Sequence, residues 1–219
     1  MKEKGAIKSL IKDTVIIFVI TLIAGGLLGF VNELTKEPIA VQEANAKALA
    51  CSEVFYEADA NGNLKEVVEL SFNEVESSVL SEHDSRVQEL YKGSVYLTQM
   101  YEAKTGDGDL FGYVIGVTTK EGYGGEISMY MGVTMDGTLK GVSILSIAET
   151  PGLGMNAEEI LIPQFRNVNV SSFSVVKTGA TSDSEIDAIT SATITSDAIT
   201  HAVNAGLDVF REITKGGDL

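Results

Sequence analysis

From residue 14 the chain reads TVIIFVITLIAGGLLGFV, eighteen consecutive positions without a charge. At about 1.5 Å of rise per residue, such a run spans roughly the hydrocarbon core of a bilayer, which predicts a transmembrane helix over 14–31. A cleaved signal peptide is the rival reading. Its apolar part is usually shorter and ends at a small-residue cleavage pattern, whereas this run continues through Gly25, Gly26 and Gly29 into Phe30, Val31 and Asn32 with no Ala-x-Ala. A retained anchor is therefore favoured. After Pro38 the spacing of Ile39, Ala46, Leu49 and Val54 predicts an amphipathic helix leading away from the membrane. YEADANGNLKEVVELSF then sets two strand-like runs either side of Asn61-Gly62, a hairpin signal. SSVLSEHDSRVQELY reads as a short polar helix or loop, with His83 a solvated surface histidine.

Strands dominate the middle of the chain. SVYLTQMYEAK, DLFGYVIGVTT, EISMYMGVTM and TLKGVSILSI are each rich in strand formers. In the third, Ile127, Met129, Met131, Val133 and Met135 alternate with Ser128, Tyr130, Gly132 and Thr134, the period of a sheet with one methionine-lined face. Asp136-Gly137 predicts a hairpin to the fourth run, and Gly106 to Asp109 (GDGD) a turn. NAEEILIPQFRNV is a mixed helical segment interrupted by Pro163. The last helix is the clearest: Ile199, Val203, Phe210 and Ile213, with Ala202 and Ala205, make one apolar face from Asp197 onwards, and Thr195 or Ser196 stands as its cap. Helices at both ends of an antiparallel sheet give an α+β fold.

Charge adds orientation. Residues 1–36 hold five lysines against three acids, leaving 11 basic and 28 acidic residues beyond, so the later part stands at −17. Lys2, Lys4, Lys8 and Lys12 precede the apolar run, while Glu33, Lys36 and Glu37 follow it. The positive-inside rule then puts residues 1–13 in the cytoplasm, 14–31 across the cell (inner) membrane and 32–219 on the extracytoplasmic side. The glycines of the span are compatible with a neighbouring helix as well as with the lipid bilayer. So acidic a surface repels phosphate backbones and excludes nucleic acid as a partner. Cys51 is the only cysteine, which rules out an intrachain disulfide or a thiolate cluster, and it reads as a buried, inert residue. With only His83 and His201 besides, neither a metal site nor a catalytic side chain is assigned.

Two loops carry candidate chemistry. In ETPGLG (149–154), Pro151 fixes one backbone angle while Gly152 and Gly154 permit conformations and approaches a side chain would block. Such a loop can lie against a flat ligand or simply turn. In DAITSAT (187–193), small and hydroxyl side chains precede a helix whose first N–H groups lack partners, an arrangement that suits a phosphate as well as an ordinary cap.

Together, the D-x-x-[ST]-[GS]-A-T pattern at 187–193, the upstream ETPGLG, GYGG at 122–125 and the single amino-terminal span resemble the FMN-binding G subunit of the Rnf ion-translocating ferredoxin:NAD oxidoreductases. The C subunit of the sodium-translocating NADH:quinone reductase is similar. The resemblance covers nearly the whole chain. It implies a redox subunit of a translocase, not an autonomous catalyst, carrying FMN through a phosphoester on Thr193 made by a flavin transferase. Its partners would be the other membrane subunits of the complex. It also implies that Thr190, Ser191 and Ala192 flank the phosphate, that Glu149, Thr150, Gly152 and Leu153 lie by the flavin, and that Lys177 matches a family lysine near it. The chain departs from the family pattern twice: Ser191 stands where Gly is usual, and Ile147-Ala148 where a histidine often precedes the glutamate. A non-redox tethered module, with the Ser/Thr loop as a mere cap, is the alternative.

Overall fold

The structure, a computed structural model, describes residues 2–58, 64–66 and 68–215. The chain forms two compact units, Met1–Ala46 and Lys47–Leu219.

The first unit lies within a helix, α1 (Lys2–Glu53), which runs through Pro38 instead of restarting after it. Its apolar side chains are bare: Ile17, Phe18, Leu28 and Phe30 are all exposed. The hydroxyls of Thr21 and Thr35 donate to carbonyls three and four residues earlier, so these polar groups are satisfied within the helix itself. A long apolar helix with no protein packed on it suits a solvent of lipid, where backbone polar groups must find partners internally.

In the second unit β1 (Glu57–Ala58) and β2 (Leu64–Lys65) pair antiparallel; Asn61-Gly62, between them in the chain and expected as the hairpin turn, lie outside the described residues. β3 (Leu70–Glu74) does not extend that hairpin. It joins a five-stranded antiparallel sheet with β4 (Val95–Thr105), β5 (Leu110–Thr119), β6 (Ile127–Thr134) and β7 (Leu139–Ile147), in sequence order. The middle strands match the four β-rich runs. Gly108 and Gly137 sit at positive φ in the two hairpin turns, and Asp136 accepts from the Thr134 and Thr138 hydroxyls and the Thr138 N–H. Those bonds, the Thr134 one first, hold the Asp136 carboxyl below the usual range.

Each face of the sheet has its own core. Met129, Met131 and Val133 of β6, with Ile115 and Val117 of β5, face α2 (Ser77–Leu90) and the last helix, α4 (Thr193–Lys215). Val114 and Tyr130 point the other way, onto Ala50, Cys51, Val54 and Phe55. Burial of both faces is why β5 reads as an unbroken apolar run. Close packing on this second face needs glycine at 132, where a Cβ would lie 2.7 Å from Val54 Cγ2. Burial pushes the Cys51 thiol up to about 12, so it is unreactive at neutral pH.

Four expectations change. Met135 leaves the methionine stripe and is exposed in the turn. His83 is not solvated: its side chain is 13% exposed, with Nδ1 3.4 Å from Glu212 on α4, because α2 is a full helix docked on α4. α4 starts at Thr193, so Thr195 and Ser196 are buried in its first turn rather than capping it. The amphipathic segment after Pro38 continues α1. Between β7 and α4 run two 3₁₀ turns, the short helix α3 (Ala157–Ile160), and the parallel pair β8 (Ser174–Val176) and β9 (Glu185–Asp187).

Candidate functional site

Three segments far apart in sequence meet around one cavity of about 610 Å³. Tyr123 comes from the β5–β6 loop; Glu149, Thr150, Leu153 and Gly154 from the loop after β7; and residues 191–195 from the start of α4. That volume lies within the roughly 300–1,000 Å³ of small-molecule and cofactor sites.

Absent side chains bring the walls together. A Cβ on Gly154 would lie 2.7 Å from Thr195 Oγ1, and one on Gly124 would lie 2.0 Å from the Ala148 carbonyl. Only glycine lets the ETPGLG loop seat on α4 and on the GYGG loop. Glu149, buried at 8% exposure, then fixes the pair: its Oε1 accepts the Gly124 N–H at 3.2 Å. ETPGLG is a turn, closed by the Leu153 N–H on the Thr150 carbonyl with Pro151 and a positive-φ Gly152 between, and it is also a cavity wall. The turn reading holds, and the same turn forms part of the cavity wall.

The Ser/Thr stretch is likewise a turn followed by a helix start. The Ala192 N–H donates to the Ile189 carbonyl at 2.9 Å, with Thr190 and Ser191 between, and Ser191 sits at φ +64°. A β-turn with positive φ at its third position prefers glycine, which accounts for the residue usual in the resembling family. The buried Ser196 hydroxyl accepts the Ile189 N–H at 2.9 Å and donates to the Ala192 carbonyl at 3.0 Å, stapling the turn to the helix. α4 therefore begins with the amides of Thr193, Ile194 and Thr195 lacking an i−4 carbonyl in the helix, beside the exposed Ser191 and Thr193 side chains. Those donors and the positive end of a 23-residue helix favour an anion. Tyr123, Leu153 and Ile194 add exposed apolar surface at the mouth.

The sequence-predicted residues divide. Glu149, Thr150, Leu153, Ser191, Ala192 and Thr193 line the cavity; Thr190, Gly152 and Lys177 do not. Lys177 is exposed just beyond β8. Gly154, marked in the sequence for its conformational freedom, also lines the cavity, as does Tyr123, which the GYGG motif contains but nothing in the sequence singles out. Thr178 to Thr181 (TGAT) repeat the Thr-x-Ala-Thr pattern with the same left-handed residue, Gly179 at φ +82°. There, however, no helix follows and Thr181 Oγ1 is committed to Glu185 at 2.8 Å. The full motif, whose Asp187 is replaced by Val175 in the second copy, and the fold both distinguish the two threonines.

Next to the cavity, Glu121 Oε2 lies 2.7 Å from His201 Nδ1 and Oε1 accepts the Ser94 hydroxyl at 2.7 Å, tying the GYGG loop to α4. Burial alone would raise the Glu121 carboxyl, but the bonds from Ser94 and His201 and the His201 charge outweigh it and hold it below the usual range.

Residues 122–208 match the FMN-binding domain family, and residues 1–54 match the RnfG N-terminal region. The G subunit of the Na(+)-translocating ferredoxin:NAD(+) oxidoreductase complex of Acetobacterium woodii is 30% identical over 218 residues, 98% of this chain and 99% of that protein. The chain belongs to the RnfG family, the G subunits of ion-translocating oxidoreductase complexes. Within the RnfG family, the G subunit of the proton-translocating complex from Clostridium ljungdahlii is 38% identical over 117 residues, 53% of this chain and 62% of its own length. Among solved structures, NqrC of Shewanella oneidensis matches at 20% identity with a TM-score of 0.45, over 54% of this chain and 61% of that one. The FMN-binding match begins at Gly122 and ends within α4, so it takes in all three walls of the cavity.

Proposed function

We propose that the chain is the membrane-anchored flavin subunit of an ion-translocating ferredoxin:NAD oxidoreductase, with FMN held through its phosphate on the Thr193 hydroxyl. One observation carries the reading: Thr193 is exposed at the first turn of α4, on the wall of a cavity closed by the family's two glycine loops.

The residues present fit such a group. Free amides at 193–195 and the Ser191 hydroxyl suit phosphate oxygens. Tyr123, Leu153 and Ile194 suit a flat aromatic system, and a cavity of about 610 Å³ has room for one. FMN, when bound, supplies reversible electron transfer, while the protein supplies position, hydrogen bonds and field. Thr193 provides the oxygen through which a carrier is retained from turnover to turnover. Glu149 keeps the two loops in register through Gly124. Ser196 holds the attachment turn in shape. The acidic surroundings disfavour anionic ligand forms except where the α4 amides offset them.

The span at 14–31 anchors the domain, and the lysines before it put the amino terminus in the cytoplasm and the flavin outside. The remaining membrane subunits of the complex and a flavin transferase are the implied partners.

The test is direct. Protein made together with a flavin transferase, denatured and run on a gel, should fluoresce under ultraviolet light, and its intact mass should exceed the polypeptide by one FMN less one water. Thr193→Val should remove both signals and leave the fold; Thr181→Val should leave both. A dark band from the unaltered chain returns it to a non-redox tethered module.

A further inference from the structure

We propose that the rim of this cavity is the docking face for a protein electron-transfer partner whose own face has an apolar centre ringed by lysine or arginine; this rests on the flavin reading above. Ten large apolar side chains beyond residue 46 are exposed among the described residues; three of them, Tyr123, Leu153 and Ile194, line the cavity, and two more, Met155 and Ile160, follow its Gly154 wall closely along the chain. Apolar exposure gathered at one mouth, instead of scattered singly over the surface, marks a contact face.

The charge around it is one-sided. Residues 121–126, 148–160 and 187–197 contain seven carboxylates and no lysine or arginine. Of these Glu126, Glu158 and Glu159 are exposed, and none of the three is in an ion pair among the described residues. Of the cations nearest to Glu158 and Glu159 along the chain, Lys140 is paired with Glu57 at 2.7 Å and Arg166 donates to the Tyr56 carbonyl at 2.8 Å, so both are engaged elsewhere. An apolar patch inside an unneutralised acidic rim repels anionic lipid headgroups and nucleic acid and attracts a basic protein face. Redox partners commonly meet this way, over small interfaces with an apolar centre and complementary charge at the edge, which raises the encounter rate and lets the partners separate again.

The probe is a basic c-type cytochrome, whose exposed haem edge is ringed by lysines. Its dissociation constant for the full chain in detergent is measured across salt concentrations, for both the flavin-loaded chain and Thr193→Val. Binding should weaken steeply with salt in both. Glu158→Lys with Glu159→Lys should weaken binding about tenfold or more, whereas Asp107→Lys with Asp109→Lys, the same charge change in the β4–β5 turn at the far end of β5, should weaken it less than about twofold. Ile160→Ser should weaken binding without changing the salt slope. Equal losses from the two double reversals, or binding indifferent to salt, overturn the docking face. The affinity ratio is read without flavin, so a dark gel band sinks the cofactor reading and leaves this comparison to decide the docking face alone.

Discussion

Ser191 bears a conformational cost that a single change would remove. Its φ of +64° is a left-handed conformation disfavoured by about 1 kcal/mol or more for a residue with a Cβ. Ser191→Gly should therefore raise the urea midpoint by an amount worth about 1 kcal/mol while leaving flavin attachment intact. Gly154→Ala should act in the opposite sense. Its Cβ would press on Thr195 Oγ1 and on Glu149, costing about 1–3 kcal/mol and lowering the fluorescence yield of the flavin band. Lys177 is not among the residues lining the cavity, so Lys177→Ala should leave flavin loading and the visible spectrum unchanged. At this scale the sequence marked Thr193 through its motif. The motif's Asp187 has no counterpart at Val175, six residues before Thr181, and the structure adds the helix that follows one threonine and the Glu185 carboxylate that occupies the other.

Among the elements, β4 to β7 were legible because runs of strand formers alternate with turn residues, with clear side-to-side alternation in β6. The start of α4 was not. Thr195 and Ser196 look like caps, but tertiary packing buries them, and Ser196 turns its hydroxyl back on Ile189 and Ala192. α2 was ambiguous because its sequence is polar; Val87 and the contacts of His83 and Arg86 with Glu212 on α4 settle it as a docked helix. The Glu121–His201 tie between the GYGG loop and α4 gives a pH prediction. Glu121 is held below its usual value, so its contribution is present above about pH 4.5 and is lost as pH falls through the lowered value. Both side chains are about a third or more exposed, which limits the effect to below about 1 kcal/mol. Urea midpoints of the unaltered chain and Glu121→Gln should differ near neutrality and converge in acid; parallel curves would remove the pair from the account.

For the whole molecule, the division into Met1–Ala46 and Lys47–Leu219 predicts that a fragment beginning at Lys47 folds by itself, stays in solution without detergent and still receives flavin, whereas the full chain partitions with membranes. Sedimentation and the gel band check both. The sequence by itself determined the apolar span, the acidic balance, the sheet and the motif, since each depends on residue type and period along the chain. Only the tertiary structure decided that ETPGLG, GYGG and the start of α4 share one cavity, that Glu149 bridges two of those loops, and that Lys177 is not among the lining residues. Those facts depend on how distant segments approach one another, and the approach is set by glycines whose missing Cβ atoms gain their meaning only from the atoms that would otherwise collide with them.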